Sequence, residues 1–140
     1  MARIGTVLRN TKETQIEVAV NLDGGDVNVK TGIGFFDHML TAFGFYAKIG
    51  LTVQATGDLY VDGHHTVEDV GICLGLALKQ ALGDRAGIRR FGSCYVPMDE
   101  ALTFTALDFS NRPYLVFDAS MPQERIGEYD SCLTVEFMRA

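Results

Sequence analysis

Two adjacent histidines and a carboxylate lie within five residues, in the stretch His64-His65-Thr66-Val67-Glu68. Imidazole and carboxylate groups are ligands for manganese, iron and zinc, so the stretch predicts a metal site. On a helix His64 and Glu68 share one face, whereas His65 diverges from His64 and leans towards Glu68 or Asp69. Because the two imidazoles diverge, they suit two metal ions better than one.

The third histidine, His38, falls outside the apolar stripe of a second, shorter helical pattern that runs from Phe36 to Phe43. A histidine pair at the start of a helix can also be solvated or can cap free backbone groups, so the surroundings must decide. The pattern is not that of a zincin protease, which needs HExxH or a histidine directly after the glutamate, where this chain has Asp69.

The element that positions the histidine pair is an amphipathic helix. After Val67 the apolar residues recur at the helical spacing, and Gly83 is placed to end the helix. These apolar residues are Val70, Leu74, Ala77, Leu78 and Ala81. Strands are predicted before this helix. Residues 15–22 alternate between apolar and polar, and a turn at 23–26 leads into a strand at 27–29, which predicts a hairpin. Residues 51–55 show the same alternation. A turn at 56–58 and a short strand at 59–61 complete the first unit.

A second, similar unit begins after residue 92, with predicted strands at 102–106 and 114–117. A helix follows, with Leu133, Phe137 and Met138 on its apolar side, and it contains Ala140, the last residue. We therefore predict an α+β fold of two similar sheet-plus-helix units (a ribosomal S5 domain 2-like pseudo-repeat), residues 1–92 and 93–140, with the second unit incomplete.

Composition limits the classes of function. The chain has 140 residues, 47% of them hydrophobic, and can bury the core of one ordinary domain. Its net charge of −6 and scattered basic residues argue against a nucleic-acid partner, including an RNA-binding domain of the ribosomal-protein type. Cys73, Cys94 and Cys132 lack CxxC spacing and predict reduced core thiols. No segment of the sequence resembles a signal peptide or a membrane span. We expect a soluble, cytoplasmic protein.

Four separated motifs, in order along the whole chain, resemble the imidazoleglycerol-phosphate dehydratase family. They are TGIGFFDHML (31–40), DGHHTVED (62–69), RRFG (89–92) and NRPYL (111–115). The resemblance implies the dehydration of imidazole-glycerol phosphate to imidazole-acetol phosphate in histidine biosynthesis. It also implies two Mn²⁺ ions per active site, bridged by the substrate imidazolate, and a large symmetric homo-oligomer with active sites between subunits.

The resemblance also assigns roles to residues. It gives His38 and His65 to one metal and His64 with Glu68 to the other. It gives Glu13 the proton transfer at the carbon that neighbours the ring-attached, hydroxyl-bearing carbon. It gives substrate binding to Glu13, Arg90 and Arg112, where the two arginines hold the phosphate. Gly63 departs from the family, in which an aspartate usually precedes the two histidines.

Family members continue past the position that matches Ala140, with a further histidine, a second HHxxE-type helix and a serine/lysine phosphate segment. We therefore expect a truncated chain with too few ligands for two metal ions, and expect this chain alone to be inactive. The alternative is a non-catalytic fragment or metal-binding module of the same fold.

Overall fold

The computed structural model describes residues 2–140, which form three helices and eight strands. The strands are β1 (Ile4–Asn10), β2 (Thr14–Asn21), β3 (Val27–Lys30), β4 (Gly50–Gly57), β5 (Phe91–Met98), β6 (Ala101–Asp108), β7 (Arg125–Ile126) and β8 (Tyr129–Asp130). The helices are α1 (Gly34–Ala47), α2 (His64–Leu82) and α3 (Leu133–Arg139). The predicted α+β class is confirmed. No helix among the described residues is both long enough and apolar enough to cross a membrane.

The main sheet has the strand order β1-β2-β4-β3, in which β2 pairs antiparallel with β1 and β4, and β3 pairs parallel with β4. The predicted hairpin between residues 15–22 and 27–29 is therefore wrong. The chain passes through α1 between β3 and β4, and a helical crossover of this kind joins parallel strands. The predicted strand at 59–61 is also wrong, because the Val61 N–H donates to the Asp58 carbonyl at 2.8 Å and closes a turn.

The core lies between one face of the sheet and α2. Alternate residues of β2, namely Ile16, Val18 and Val20, are at most 2% exposed, as the period of a half-buried strand predicts. The buried stripe of α2 meets them with Val67, Val70, Cys73, Leu74 and Ala77. Fully burying a large aliphatic side chain contributes roughly 1.5–3 kcal/mol, so this contact holds α2 firmly on the sheet. The helix ends at Gly83, whose φ of 54° lies in the left-handed region.

Two glycines allow α2 to lie very close to the strands. A Cβ atom on Gly5 of β1 would lie 1.9 Å from the Ala77 carbonyl oxygen, which is backbone and cannot turn aside. A Cβ atom on Gly57, the last residue of β4, would lie 2.0 Å from the Thr66 hydroxyl in the first turn of α2. At Gly57 the missing Cβ atom lets the end of β4 approach Thr66, the residue that follows His65.

The contacts divide the chain into two compact units. One contains the described residues up to Gly83 together with 117–140, in which α3 packs on α2 and Leu133 is buried. The other contains residues 84–116, in which β5 and β6 form an antiparallel hairpin whose residues are all exposed. The predicted units, 1–92 and 93–140, and their pseudo-repeat remain predictions.

Two of the three predicted core thiols are not in the core. Cys73 is buried in α2, whereas Cys94 on β5 and Cys132 before α3 are exposed, and all three are free thiols. The apolar run around Cys94 belongs to a hairpin that buries neither face, so local hydrophobicity did not predict burial there.

Candidate metal and proton-transfer site

The two histidines lie in the first turn of α2, directly after Gly63. The Asp62 carboxylate accepts the His64 main-chain N–H at 2.8 Å and so satisfies one of the free donors at the helix start. Both imidazoles are about half exposed, whereas Thr66 and Val67 behind them are fully buried. The helix therefore holds the histidine side chains at the surface on a rigid base.

Asp58, the first residue after β4, holds the His65 ring. The His65 Nδ1–H donates to Asp58 Oδ2 at 2.9 Å, and Oδ1 lies at 3.2 Å. The hydrogen bond to Asp58 raises the pKa of His65, and the negative charges of Asp58, Glu13 and Asp62 raise it further, against some opposing desolvation. This contact uses Nδ1 and leaves Nε2 as the ring nitrogen that can bind a metal.

His64 has a different carboxylate partner. Its Nε2 lies 3.7 Å from Glu68 Oε2, one turn further along α2. The His64 and His65 ring centroids are 6.2 Å apart, and the ring planes cross at 79°. The two imidazoles therefore diverge, as predicted, but the expectation that His65 leans towards Glu68 or Asp69 is wrong, because the partner of His65 is Asp58.

Asp69 instead binds residues of the sheet. Its side chain is mostly buried, and it accepts Arg9 Nε on β1 at 2.8 Å and the Thr14 hydroxyl on β2 in a very short hydrogen bond. A buried carboxylate is tolerated when its oxygens are bonded in this way. The ion pair with Arg9 ties the start of α2 to β1, and the hydrogen bond from Thr14 ties it to the start of β2. Since Asp69 follows Glu68 and Thr14 follows Glu13, the second bond also holds these two carboxylates in place.

Glu13 lies in the short turn between β1 and β2, and its side chain is exposed. Its main-chain N–H donates to the Thr11 hydroxyl at 3.1 Å, and its carbonyl accepts the Asp58 N–H at 3.1 Å. Asp58 therefore contacts Glu13 through its backbone and His65 through its side chain. The structure brings Glu13 and His65 together at one end of strands β2 and β4, a proximity that the sequence alone did not predict.

His38 is exposed on α1. The neighbouring Asp37 anchors the start of that helix, because its carboxylate accepts the Thr31 N–H at 2.7 Å and the Thr31 hydroxyl at 2.6 Å. Within residues 2–140, no three His, Cys, Asp or Glu side chains converge closely enough to hold a metal ion. The structure thus pairs His64 with Glu68 and His65 with Asp58, and His38 joins neither pair. The imidazole nitrogens and the Glu68 carboxylate are groups that suit Mn²⁺.

The two candidate phosphate-binding arginines belong to the unit formed by residues 84–116. Arg90 makes a two-pronged ion pair with Asp108, at 2.7 Å from Nε to Oδ1 and 3.2 Å from Nη2 to Oδ2, and its guanidinium lies 4.9 Å from the Phe91 ring centroid. The hydrogen bond to Arg90 lowers the pKa of Asp108, and the charge of Arg112 lowers it further. Arg112 itself is exposed, and its main-chain N–H donates to the Ser110 hydroxyl at 3.4 Å.

Comparison with known proteins identifies relatives along the whole chain. The sequence profile described as imidazoleglycerol-phosphate dehydratase matches residues 31–140. Proteins of that name from Streptococcus gordonii and Ruminiclostridium cellulolyticum are 57% and 56% identical over 99% of this chain and 72% of their own length.

Solved structures agree with the sequence matches. The crystal structure of imidazoleglycerol-phosphate dehydratase from Staphylococcus aureus gives a TM-score of 0.86 at 38% identity, over 97% of this chain and 75% of that one. The enzyme from Pyrococcus furiosus, solved in complex with (S)-C348, gives 0.80 at 39% identity, over 95% and 70%.

Proposed function

This chain belongs to the imidazoleglycerol-phosphate dehydratase family, a lyase family of histidine biosynthesis, and on that premise we propose that its dehydratase reaction depends on two Mn²⁺ ions bound at the start of α2. The substrate in this proposal is imidazole-glycerol phosphate and the product is imidazole-acetol phosphate. The protein as it functions is proposed to be a large homo-oligomer in the cytoplasm.

One observation carries the metal assignment: the two adjacent imidazoles are aimed at two different carboxylates. His64 Nε2 and Glu68 Oε2, 3.7 Å apart, can both contact one cation placed beside them, whereas His65 has only Nε2 free and faces elsewhere. We propose that His65 shares its ion with His38. Catalytic metals usually have about three protein ligands or more, so each pair requires further donors from outside it.

The bound ions would supply Lewis-acid stabilisation of negative charge on the substrate imidazole. In the proposal the hydroxyl leaves from the carbon attached to the ring, and the Glu13 carboxylate takes the proton from the neighbouring carbon. The net loss is one water, and the resulting enol becomes the ketone of the product. Glu13 is exposed in a turn, and its contribution in this proposal comes from its position. Its carbonyl bond to Asp58 and the neighbouring Thr14–Asp69 bond provide that position.

Arg90 and Arg112 are proposed to bind the substrate phosphate, for which the planar guanidinium fork is suited. Asp108 holds Arg90 by Nε and Nη2, which leaves Nη1 as the part of the fork not engaged by this carboxylate. A phosphate bound there would be oriented by the same ion pair that fixes the guanidinium plane.

The test separates proton transfer from metal binding. In a homo-oligomer preparation whose wild type is active, Glu13→Gln should lower dehydration of imidazole-glycerol phosphate by about 10²- to 10⁴-fold. This is the usual contribution of general acid–base catalysis, and the Mn²⁺ content should be unchanged. Glu17→Gln is the matched control, because Glu17 is an exposed carboxylate on β2, the strand that follows Glu13, and this variant should retain activity.

Metal dependence is tested on the same preparations. Activity should disappear on removal of divalent cations with a chelator and return with added Mn²⁺. Activity that survives complete metal removal would refute the metal proposal, and a Glu13→Gln protein as active as Glu17→Gln would refute the proton-transfer role.

A further inference from the structure

Asp58 hydrogen-bonds both the His65 ring and the Glu13 main chain, and neither the sequence motifs nor the family resemblance assigned it a role. Its side chain is 13% exposed although it lies in a surface turn, so the carboxylate is held inward against the His65 ring. A carboxylate in such a turn is normally free to point into solvent. The geometry here gives it a specific partner.

The contact with His65 determines which ring nitrogen carries the proton. A neutral imidazole has one N–H donor and one acceptor nitrogen, and the tautomer is set by the hydrogen bond that the ring makes. A carboxylate can only accept, so Asp58 stabilises the form with hydrogen on Nδ1. The Nε2 lone pair is then free and fixed in direction, which is the state that a metal-binding imidazole requires.

The second contact comes from the Asp58 backbone. Its N–H donates to the Glu13 carbonyl at 3.1 Å, immediately beyond the last β2–β4 pair, Thr14 with Gly57. The turn containing Asp58 is closed by the Val61 N–H on the Asp58 carbonyl at 2.8 Å. The position of the carboxylate is therefore fixed by the same backbone bonds that fix Glu13.

We propose that Asp58 is a positioning residue that presents His65 Nε2 for metal binding and fixes the position of the His65 ring relative to Glu13. This inference rests on the proposed function for the presence of a metal, but the state of the imidazole is a property of the metal-free protein. Asp58 itself touches neither metal nor substrate in this assignment. Its effect is transmitted through His65.

The experiment reads the ring nitrogens of His65 directly, by long-range ¹H–¹⁵N correlation spectra of metal-free, ¹⁵N-histidine-labelled protein. The chain has three histidines, and His38→Gln and His64→Gln variants assign the signals. The spectra are recorded well above the His65 pKa, where the ring is neutral. The wild-type protein should show hydrogen on Nδ1.

Three variants separate the Asp58 contact from a general change of charge or fold. Asp58→Ala should move the His65 hydrogen to Nε2, the form favoured in water. Asp58→Asn keeps an acceptor oxygen and should retain hydrogen on Nδ1. Asp62→Ala is the matched control. Among the described residues its carboxylate hydrogen-bonds the His64 main-chain N–H and not the His65 ring, so its removal should leave the His65 tautomer unchanged.

Mn²⁺ affinity, measured by titration calorimetry on the same proteins, gives the second readout. Asp58→Ala should weaken binding by about 10- to 100-fold, the usual cost of removing the carboxylate partner of a metal-bound histidine. An unchanged tautomer in Asp58→Ala, or an equal change in Asp62→Ala, overturns the proposal, as does unaltered Mn²⁺ affinity. A wild-type protein that binds no Mn²⁺ refutes the metal-dependent function instead, and the tautomer series then still decides whether Asp58 holds the ring.

Discussion

Thr14 and Thr66 are two buried threonines that differ in one respect, and this difference predicts opposite effects of the same substitution. Thr14 is 2% exposed and its hydroxyl bonds the Asp69 carboxylate, whereas Thr66 is fully buried and its hydroxyl has no hydrogen-bond partner among residues 2–140. Valine matches threonine in shape and replaces only the hydroxyl. Thr14→Val should therefore destabilise the protein, and Thr66→Val should be neutral or stabilising.

The magnitudes follow from the state of each hydroxyl. A hydrogen bond to a charged group contributes about 1.5–3 kcal/mol, and in Thr14→Val the mostly buried Asp69 oxygen is also left without that donor, so we expect a loss of about 2–3 kcal/mol. A buried hydroxyl without a partner costs about 1–3 kcal/mol, which Thr66→Val removes. The two variants should differ in free energy of unfolding by at least about 2 kcal/mol, or about 8 °C in Tm.

Urea unfolding followed by circular dichroism, with thermal unfolding on the same samples, measures this difference. Equal m-values for the two variants and the wild type are needed to attribute the change to the folded state. Equal destabilisation by both substitutions, or greater destabilisation by Thr66→Val, would refute the argument that the Thr14–Asp69 bond is what holds β2 to the start of α2.

Two further predictions concern close packing and charge. Gly5→Ala should lower the free energy of unfolding in urea by more than about 3 kcal/mol, because the added Cβ would meet the Ala77 carbonyl oxygen. Gly75 lies on the exposed face of α2 with no described atom near its Cβ position, so Gly75→Ala should stabilise the protein by about 0.5–1 kcal/mol. Similar values for the two variants would contradict the Gly5–Ala77 contact. Main-chain and side-chain hydrogen bonds from Arg3 lower the pKa of Asp23. This pair therefore stabilises the fold above the ordinary aspartate pKa, and the stabilisation is lost as pH falls through the lowered pKa. In Arg3→Ala the Asp23 pKa, followed by NMR titration, should rise towards its ordinary value, and an unchanged pKa would show that the Arg3 side chain does not contribute.

The sequence predicted best where a pattern depends on neighbouring residues. The helical period after Val67 and the stop at Gly83 fixed α2 almost to the residue, and alternation identified β2. The first strand was not predicted because Gly5 occupies its buried position and removes the apolar alternation. Strand pairing was assigned wrongly for β3, since a Gly-rich turn between two strand-like runs looks the same whether or not the runs pair.

The site shows the same limit. The divergence of His64 and His65 is a property of one helix turn and was predicted, whereas the partner of His65 lies in the preceding turn at Asp58, which the sequence showed only as a turn-forming residue. The bond from Asp69 to Thr14 joins residues 55 apart along the chain. Such contacts depend on how α2 lies against the sheet, and no local pattern carries that information.

The antiparallel register of β2 and β4, with Thr14 opposite Gly57, determines how this protein tolerates insertions and deletions. Removing one residue from β2 would turn part of the buried set Ile16, Val18 and Val20 away from α2. Removing one from either strand would shift the pairing that places Glu13 next to Asp58. A loop such as residues 23–26 carries no such double constraint. Length changes compatible with an active protein should therefore accumulate in that loop, and a frame-preserving deletion library of this chain should contain almost none within either strand.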